Sequence, residues 1–313
     1  MSCKLFDRVA FGTHPRLDEA ERFVLSLNAV RRATLLDASD LYATYAAWWD
    51  AEKREAKREF KRCLSPFRNV FVYAGELDAV STGMHVESLR DDDPHVYGKP
   101  FNVFQSCKMS VIEQQSLITG QGEAASKLLK EIEACGEILR IIVWGSSGSQ
   151  PVQAGIVVTY VVLSPDGEYI SAFAGTAKKG TGVRLFGSQS INHYTFPLFV
   201  NQLMHCRNIV TLEHDPYRPA MPRGKRNKIP KVTYRTLRIS DSLVKVEDHS
   251  AGSGEAAHTA KHVCRGNFAH YTEENKLFGK YVGMFWRPMH IRGNAKHGIV
   301  GKEYAMESPH ESA

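Results

Sequence analysis

Three short apolar runs in the centre of the chain constrain the fold more than any other feature. They cover residues 138–144, 155–163 and 168–174, and each is rich in β-branched and aromatic side chains. Residues 164–167 (Ser-Pro-Asp-Gly) separate the last two runs and are typical of a tight turn, because Pro presets φ and Gly tolerates positive φ. The pattern predicts an antiparallel meander. Its middle run is apolar at both odd and even positions, so we expect a strand covered on both faces.

The rest of the chain mixes helical and strand patterns. Apolar side chains recur near helical spacing within residues 18–63, which predicts an N-terminal helical region. Residues 122–137 and 190–204 predict two further helices, the second with Pro197 inside it. The strand patterns lie at residues 69–74, 208–212 and 232–239; in the last, Tyr234, Thr236 and Arg238 alternate with Arg235, Leu237 and Ile239.

These patterns together predict an α+β fold. Its parts are an N-terminal helical region, a central antiparallel sheet, and a basic C-terminal block packed on the sheet. The expected division is residues 1–66 for the helical region, 67–214 for the core with the meander, and 215–313 for the basic and His/Arg-rich part. We expect this last part to form one compact unit with the core.

Bulk composition excludes several classes of protein. Hydrophobic residues make up 43% of the chain and charged residues 24%, which is typical of a globular protein rather than a disordered or fibrous one. No stretch approaches the roughly 18 apolar residues of a membrane span, and the N-terminus lacks a secretory pattern. The six cysteines are widely spaced without a CxxC pair, which favours reduced thiols. We therefore expect a cytoplasmic protein without a membrane partner.

The positive charge is concentrated in the last third of the chain. The net charge of the 313 residues is only +6, but residues 218–300 contain 16 Lys and Arg against 6 Asp and Glu. This stretch is therefore +10 and the remainder is −4. Ten of the 13 histidines also occur at or after His193. Such asymmetry indicates an anionic partner, most often nucleic acid, although a well-solvated surface is the alternative explanation.

Residues 215–231, called the basic arm below, combine four prolines with six basic side chains. This composition excludes a helix and predicts an extended segment that follows a phosphate backbone. The side chains expected to bind nucleic acid are Arg223, Lys225, Arg226, Lys228 and Lys231.

Residues 258–293 pack His, Arg, Lys and aromatic side chains closely together, without a cage of acidic metal ligands. His and Tyr can transfer protons, and Arg and Lys can stabilise the charge of a phosphorane-like transition state. The combination suits metal-independent RNA cleavage, in which the 2′-hydroxyl is the nucleophile and no cofactor is needed. His262 and His270 are the expected acid and base, with Tyr271 assisting. Arg265, Lys280 and Arg292 are expected to stabilise phosphate charge.

Other interpretations of the same block remain open. The protein could bind DNA or RNA without chemistry, by stacking bases on aromatic rings, or it could be a protein-protein inhibitor or scaffold. Burial preference nevertheless predicts that Phe278, Phe285 and Trp286 are packed in a core. His258 and His262 have the spacing of a zinc-binding helix, but Thr259 stands where the metalloprotease motif has Glu, so we expect no metal.

The last hundred residues carry a pattern of basic stretch, strand and aromatic block. Its residues are Arg223, Lys225, Arg226, 232–239, Arg265, Gly266, Phe268, Tyr271, Gly279, Trp286, Pro288, His290 and Gly293. The pattern resembles uncharacterised proteins of actinobacterial phages and related mobile elements, whose C-terminal block has the form RGH(W/F)…W…P…G. Asn267 departs from the His of that pattern. The resemblance implies a phage or mobile-element setting, in which a ribonuclease would act as a toxin or in host interference.

Overall fold

The computed structural model describes residues 4–11, 27–49, 56–77, 80–90, 104, 108–109, 112, 123–147, 153–178, 182–186, 192–217, 231–240, 260–264, 266–292 and 294–300. The chain forms two compact units, Met1–Ile239 and Ser240–Ala313. The boundaries expected at 66/67 and 214/215, and the packing of the C-terminal block on the sheet, stay predictions.

The first unit contains all six described helices and nine strands. The helices are α1 (Lys4–Phe11), α2 (Leu27–Val30), α3 (Ser39–Trp48), α4 (Ala56–Glu59), α5 (Glu123–Glu133) and α6 (Asn192–Met204). The strands are β1 (Thr34–Asp37), β2 (Asn69–Leu77), β3 (Val80–Leu89), β4 (Glu137–Ser147), β5 (Gln153–Leu163), β6 (Tyr169–Lys178), β7 (Gly182–Phe186), β8 (Ile209–Glu213) and β9 (Tyr234–Ile239).

The nine strands form one sheet in the order β7-β6-β5-β4-β3-β2-β1-β9-β8. The α+β class with a central sheet is therefore confirmed. The prediction of a purely antiparallel sheet is wrong, because β1 pairs in parallel with both β2 and β9. The pairs from β2 to β7, and the pair β8–β9, are antiparallel, so the sheet is mixed.

The parallel strand β1 lies inside the region that was expected to be helical. Thr34–Asp37 is only four residues long, too short to show an alternating pattern. Leu35 and Leu36 are both buried, because the strand has a neighbour on each side and a covered face above and below. Its pairing is tertiary, with partners 36 and 199 residues away in sequence, as the registers Leu35↔Phe71 and Leu35↔Tyr234 show.

The central meander is confirmed in order and direction. β4, β5 and β6 are antiparallel neighbours, and each is longer than the apolar run that predicted it. In the described part of β5, Val158 and Tyr160 face the opposite side of the sheet from Val161 and Leu163, and all four are at most 2% exposed. The expectation that β5 is covered on both faces is therefore confirmed.

Helices cover both faces of the sheet. On one face, Phe6 of α1 packs edge to face on Phe71 of β2 at a ring-centroid distance of 5.3 Å. On the other, α3 packs against β2 and contacts α6, with the rings of Trp48 and Phe199 at 5.0 Å. The predicted helix with Pro197 inside it is confirmed as α6.

The described part of the chain contains no helix long and apolar enough to cross a membrane. Cys63, Cys135, Cys206 and Cys264 carry free thiols.

One buried histidine lies at the centre of the sheet. His85 on β3 is fully buried, and its Nε2 lies 2.7 Å from Oδ1 of Asn69. The Asn69 amide donates from Nδ2 to the Ala29 carbonyl at 2.6 Å, which leaves Oδ1 to accept from the Nε2–H of His85. Nδ1 of His85 has no hydrogen-bond partner among the described residues. Burial lowers the pKa of His85 to about 4, because the charged ring would bury an unsatisfied N–H.

This histidine predicts acid sensitivity. Its pKa is about 4 when folded and about 6.5 when unfolded, so its neutral form stabilises the fold above pH 6.5. The stabilisation is lost as the pH falls from 6.5 towards 4, by about 3 kcal/mol in total. We expect His85→Gln to flatten the pH dependence of the free energy of unfolding in that window, measured by urea titration. His205→Gln, at an exposed histidine, is the control. Equal pH dependence in His85→Gln and the wild type would contradict the assignment.

Candidate functional site

The second unit is built from β10 (Ala260–Cys264), β11 (Asn267–Tyr271), β12 (Gly283–Arg287), β13 (His290–Arg292) and β14 (Asn294–Val300). β11 and β12 form an antiparallel hairpin, and β13-β10-β14 form a three-stranded sheet.

Aromatic pairs hold the two strands of the hairpin together. Phe268 lies opposite Trp286 with ring centroids 4.8 Å apart, and Tyr271 packs edge to face on Phe285 at 5.8 Å. Phe285 and Trp286 are 2% and 1% exposed, which confirms that they are packed. Phe278 is 65% exposed, so the prediction that it is packed is wrong.

The hairpin separates two of the residues expected to act together. His270 and Tyr271 are consecutive in β11, so they face opposite sides of the strand. His270 is exposed and lies opposite Met284. Tyr271 is 7% exposed, its ring lies under the guanidinium of Arg287 at 5.2 Å, and its hydroxyl has no hydrogen-bond partner among the described residues. Tyr271 therefore has a packing role, and its assistance in proton transfer stays a prediction.

The three-stranded sheet brings two other predicted residues together. In the antiparallel register of β10 and β13, His262 lies opposite Arg292 and Cys264 opposite His290. The register thus pairs a candidate acid-base residue with a candidate cation across the two strands. Lys280 lies outside these strands, exposed, with its ammonium 5.3 Å from the centroid of the Tyr281 ring. Arg265 lies outside the described residues.

The basic arm is described only at its ends. Arg223, Lys225, Arg226 and Lys228 lie outside the described residues, and Lys231 is exposed. Tyr217 and Val232 form an antiparallel bridge in which the Tyr217 N–H donates to the Val232 carbonyl at 2.8 Å. Both side chains belong to the core of the first unit. The described ends of the arm are therefore joined to each other and anchored in the core of the first unit.

The positive charge divides into two parts. Residues 218–238 contain eight basic and no acidic side chains, and residues 260–300 contain seven basic and two acidic ones. The segment between them, residues 239–259, contains one basic and four acidic side chains, so the net charge of residues 218–300 is +10. The larger excess thus belongs to the basic arm and β9, in the first unit, and only the smaller one to the His/Arg-rich block.

An exposed patch on the sheet lies beside the ends of the arm. Register and alternation place one set of side chains on a single face of β8 and β9, called the β8–β9 face below. Val210 is 40% and Leu212 36% exposed, although both are apolar. The members of the face are Val210, Leu212, His214, Tyr234, Thr236 and Arg238.

Two rings on this face are held in place by neighbouring polar groups. The rings of His214 and Tyr234 stack with centroids 4.9 Å apart and planes 29° apart. Nε2 of the exposed His214 lies 2.9 Å from Oγ1 of Thr236. The Tyr234 hydroxyl donates to Oδ2 of Asp37 at 3.2 Å, while Oδ1 of Asp37 accepts from the N–H and hydroxyl of Ser39. The outer face of the His214 ring is therefore a preoriented surface for a flat ligand.

The sequence alone predicted three of the six side chains of the β8–β9 face. The alternation of Tyr234, Thr236 and Arg238 was visible in residues 232–239 and is confirmed by the register of β9. His214 and Asp37 were missed. Asp37 ends β1 and His214 follows β8, and only the pairing of β1 with β9 and of β9 with β8 brings them to Tyr234.

No group of three or more His, Cys, Asp or Glu side chains in the described ranges is close enough to hold a metal ion. Neither a protein-family model, nor a curated protein, nor a solved structure matches this chain. Its function is therefore inferred from its own side chains and charges.

The packing role of Tyr271 is testable. A buried hydroxyl without a partner costs about 1–3 kcal/mol, so Tyr271→Phe should raise or preserve the free energy of unfolding. Tyr45→Phe is the matched control, because the buried Tyr45 hydroxyl is hydrogen-bonded to Thr195, and its loss should lower stability by about 1 kcal/mol. Urea titration measures both. Loss of stability in Tyr271→Phe would show that its hydroxyl has a partner.

Proposed function

We propose that this protein binds nucleic acid, with RNA favoured over DNA. One observation carries the proposal: the basic arm starts and ends beside the stacked rings of the exposed His214 and the half-buried Tyr234. The arm supplies cations for phosphates, and the β8–β9 face supplies a ring for a base. Binding modules for single strands combine these two features.

The electrostatic part of the interaction comes from the arm. No acidic residue occurs within residues 218–238, so the positive charge of Arg223, Lys225, Arg226 and Lys228 is not offset within that stretch of sequence. Each phosphate that a cation neutralises releases counterions, and binding then weakens as salt rises. Two further exposed cations follow in the sequence: Lys231 at the end of the arm and Arg238 on the β8–β9 face.

The stacking part comes from His214. Its ring is fixed by Thr236 on one edge and by Tyr234 on one face, so a base can stack on it with little loss of side-chain entropy. Base stacking on rings requires unpaired bases, which is the common mode of RNA recognition. This supports RNA as the favoured ligand.

Replacing the ring tests the β8–β9 face. We expect His214→Ala to weaken binding of a labelled single-stranded RNA by about tenfold, since stacking on a ring contributes about 1–3 kcal/mol per base. Fluorescence anisotropy measures the dissociation constant. His205→Ala removes another exposed histidine of the same unit and should leave it unchanged.

The same assay tests the arm. In the double variant Arg223→Ala/Lys225→Ala, the slope of log affinity against log salt should become shallower by about 1.4, at about 0.7 per phosphate. The control Lys127→Ala/Lys130→Ala removes two exposed cations from α5 and should leave the slope unchanged. Undetectable binding of the wild type to RNA and DNA at low salt would overturn the proposal and favour an inhibitor or scaffold.

The second candidate function is metal-independent RNA cleavage, and the register of His262 opposite Arg292 favours it. In this reaction a base removes the 2′-hydroxyl proton, the oxygen attacks the adjacent phosphorus, and an acid protonates the leaving 5′-oxygen. His262 and His270 are the candidates for base and acid. Arg292 would stabilise the phosphorane, with Lys280 and Arg265 as further candidate cations.

Cleavage is tested with end-labelled RNA in EDTA. If the protein cleaves, His262→Gln should slow the reaction by about a hundredfold or more, the usual range for a general acid or base. His205→Gln is the control, and DNA of the same sequence should stay intact because it lacks the 2′-hydroxyl. RNA that is bound but uncut by the wild type would reject cleavage and leave binding as the function.

The resemblance to proteins of actinobacterial phages and mobile elements supports a cytoplasmic role in that setting. A ribonuclease there would act as a toxin or in host interference.

A further inference from the structure

The tip of the β11–β12 hairpin carries an aromatic side chain in an unusual backbone conformation. Phe278 and Gly279 have φ values of +53° and +67°, and the Lys280 N–H donates to the Leu277 carbonyl at 3.1 Å. Leu277 and Tyr281 also exchange two backbone hydrogen bonds, of 2.8 and 2.9 Å, which close the turn. The two central residues thus have the left-handed backbone that Asn-Gly adopts most easily in such turns.

Phe278 is unfavourable for the stability of the fold at this position. A bulky side chain in the left-handed region is unfavourable relative to Asn or Gly. The ring is also 65% exposed and makes no ring contact with other described residues. The other aromatic side chains of the hairpin strands pack in pairs, so Phe278 is the one whose placement folding does not explain. Residues that break local rules without a structural gain are expected at binding sites.

The same turn also carries an exposed cation. Lys280, two residues further on, is exposed and lies over the Tyr281 ring. Lys276 is paired with Glu273 at 2.8 Å, so the nearby acidic charge is partly neutralised. An exposed ring two residues from an exposed ammonium suits a nucleobase with its phosphate. The excess of seven basic over two acidic side chains in residues 260–300 favours a polyanion over an acidic or neutral protein surface.

We propose that Phe278 stacks on an unpaired base of single-stranded nucleic acid, with Lys280 at the adjacent phosphate. The inference rests on the proposed function and names its substrate class, namely strands with accessible bases rather than duplexes. The bases of a duplex are already stacked on each other, so the ring has no face to contact there unless it separates them.

The experiment compares Phe278→Asn with the wild type, using a fluorescently labelled single strand and the matching duplex at one salt concentration. Asn suits the left-handed backbone, so this variant should fold at least as well, as thermal unfolding will show. We expect its affinity for the single strand to fall about tenfold and its affinity for the duplex to stay unchanged. Phe278→Trp should retain single-strand binding.

Met289→Asn is the matched control, because Met289 is a second exposed apolar side chain of the same unit, at 62% exposure. It should leave both affinities unchanged. If Phe278→Asn binds the single strand as tightly as the wild type, the inference is wrong while the proposed function stands, and a pocket in a partner protein becomes the better explanation of the exposed ring. An equal loss for strand and duplex would also overturn it. If the wild type binds neither nucleic acid, the proposed function itself fails.

Discussion

The parallel pairing of β1 with β2 and β9 is the constraint on which the first unit depends. Four residues, Thr34–Asp37, connect a six-stranded antiparallel sheet to the β9–β8 pair. A strand this short is stable only because it has hydrogen-bonded neighbours on both sides and buries Leu35 and Leu36 on opposite faces. Without it, β8 and β9 would be an isolated pair of strands, which is marginal in water.

The same strand connects the fold to the proposed binding face. Asp37 ends β1 and accepts hydrogen bonds from Ser39, at the start of α3, and from Tyr234 on β9. Tyr234 in turn supports the ring of His214. The carboxylate therefore fixes a helix start and an aromatic ring at once. The position of the exposed ring thus depends on the core of the sheet, although the ring itself contributes little to that core.

The two units contain different candidate binding groups. The first unit has the larger positive excess and the preoriented rings, whereas the second has an exposed phenylalanine and the His262–Arg292 pair. In the proposed function, the cations of the arm contact phosphates, and a ring of each unit is a separate candidate contact for a base.

The predictability of each element depended on how local its signal was. The meander, α5 and α6 were predicted because each has enough residues for its periodicity to be read, and the turn at 164–167 is fixed by Pro and Gly. β1 was missed because four residues are too few to show an alternating pattern. For the aromatic residues of the hairpin, burial preference was right for Phe285 and Trp286 and wrong for Phe278, since average preferences do not identify a residue at a turn tip.

The sequence by itself determined the α+β class, the central strands, and the concentration of basic charge between Arg218 and Arg238, since composition and periodicity are properties of the chain alone. Only the tertiary structure decided which strands are parallel and which rings stack. It also decided that His262 lies opposite Arg292 whereas His270 and Tyr271 face opposite sides of β11. These relations depend on strand register between distant segments, and shifting a register by one residue would move every side chain to the other face.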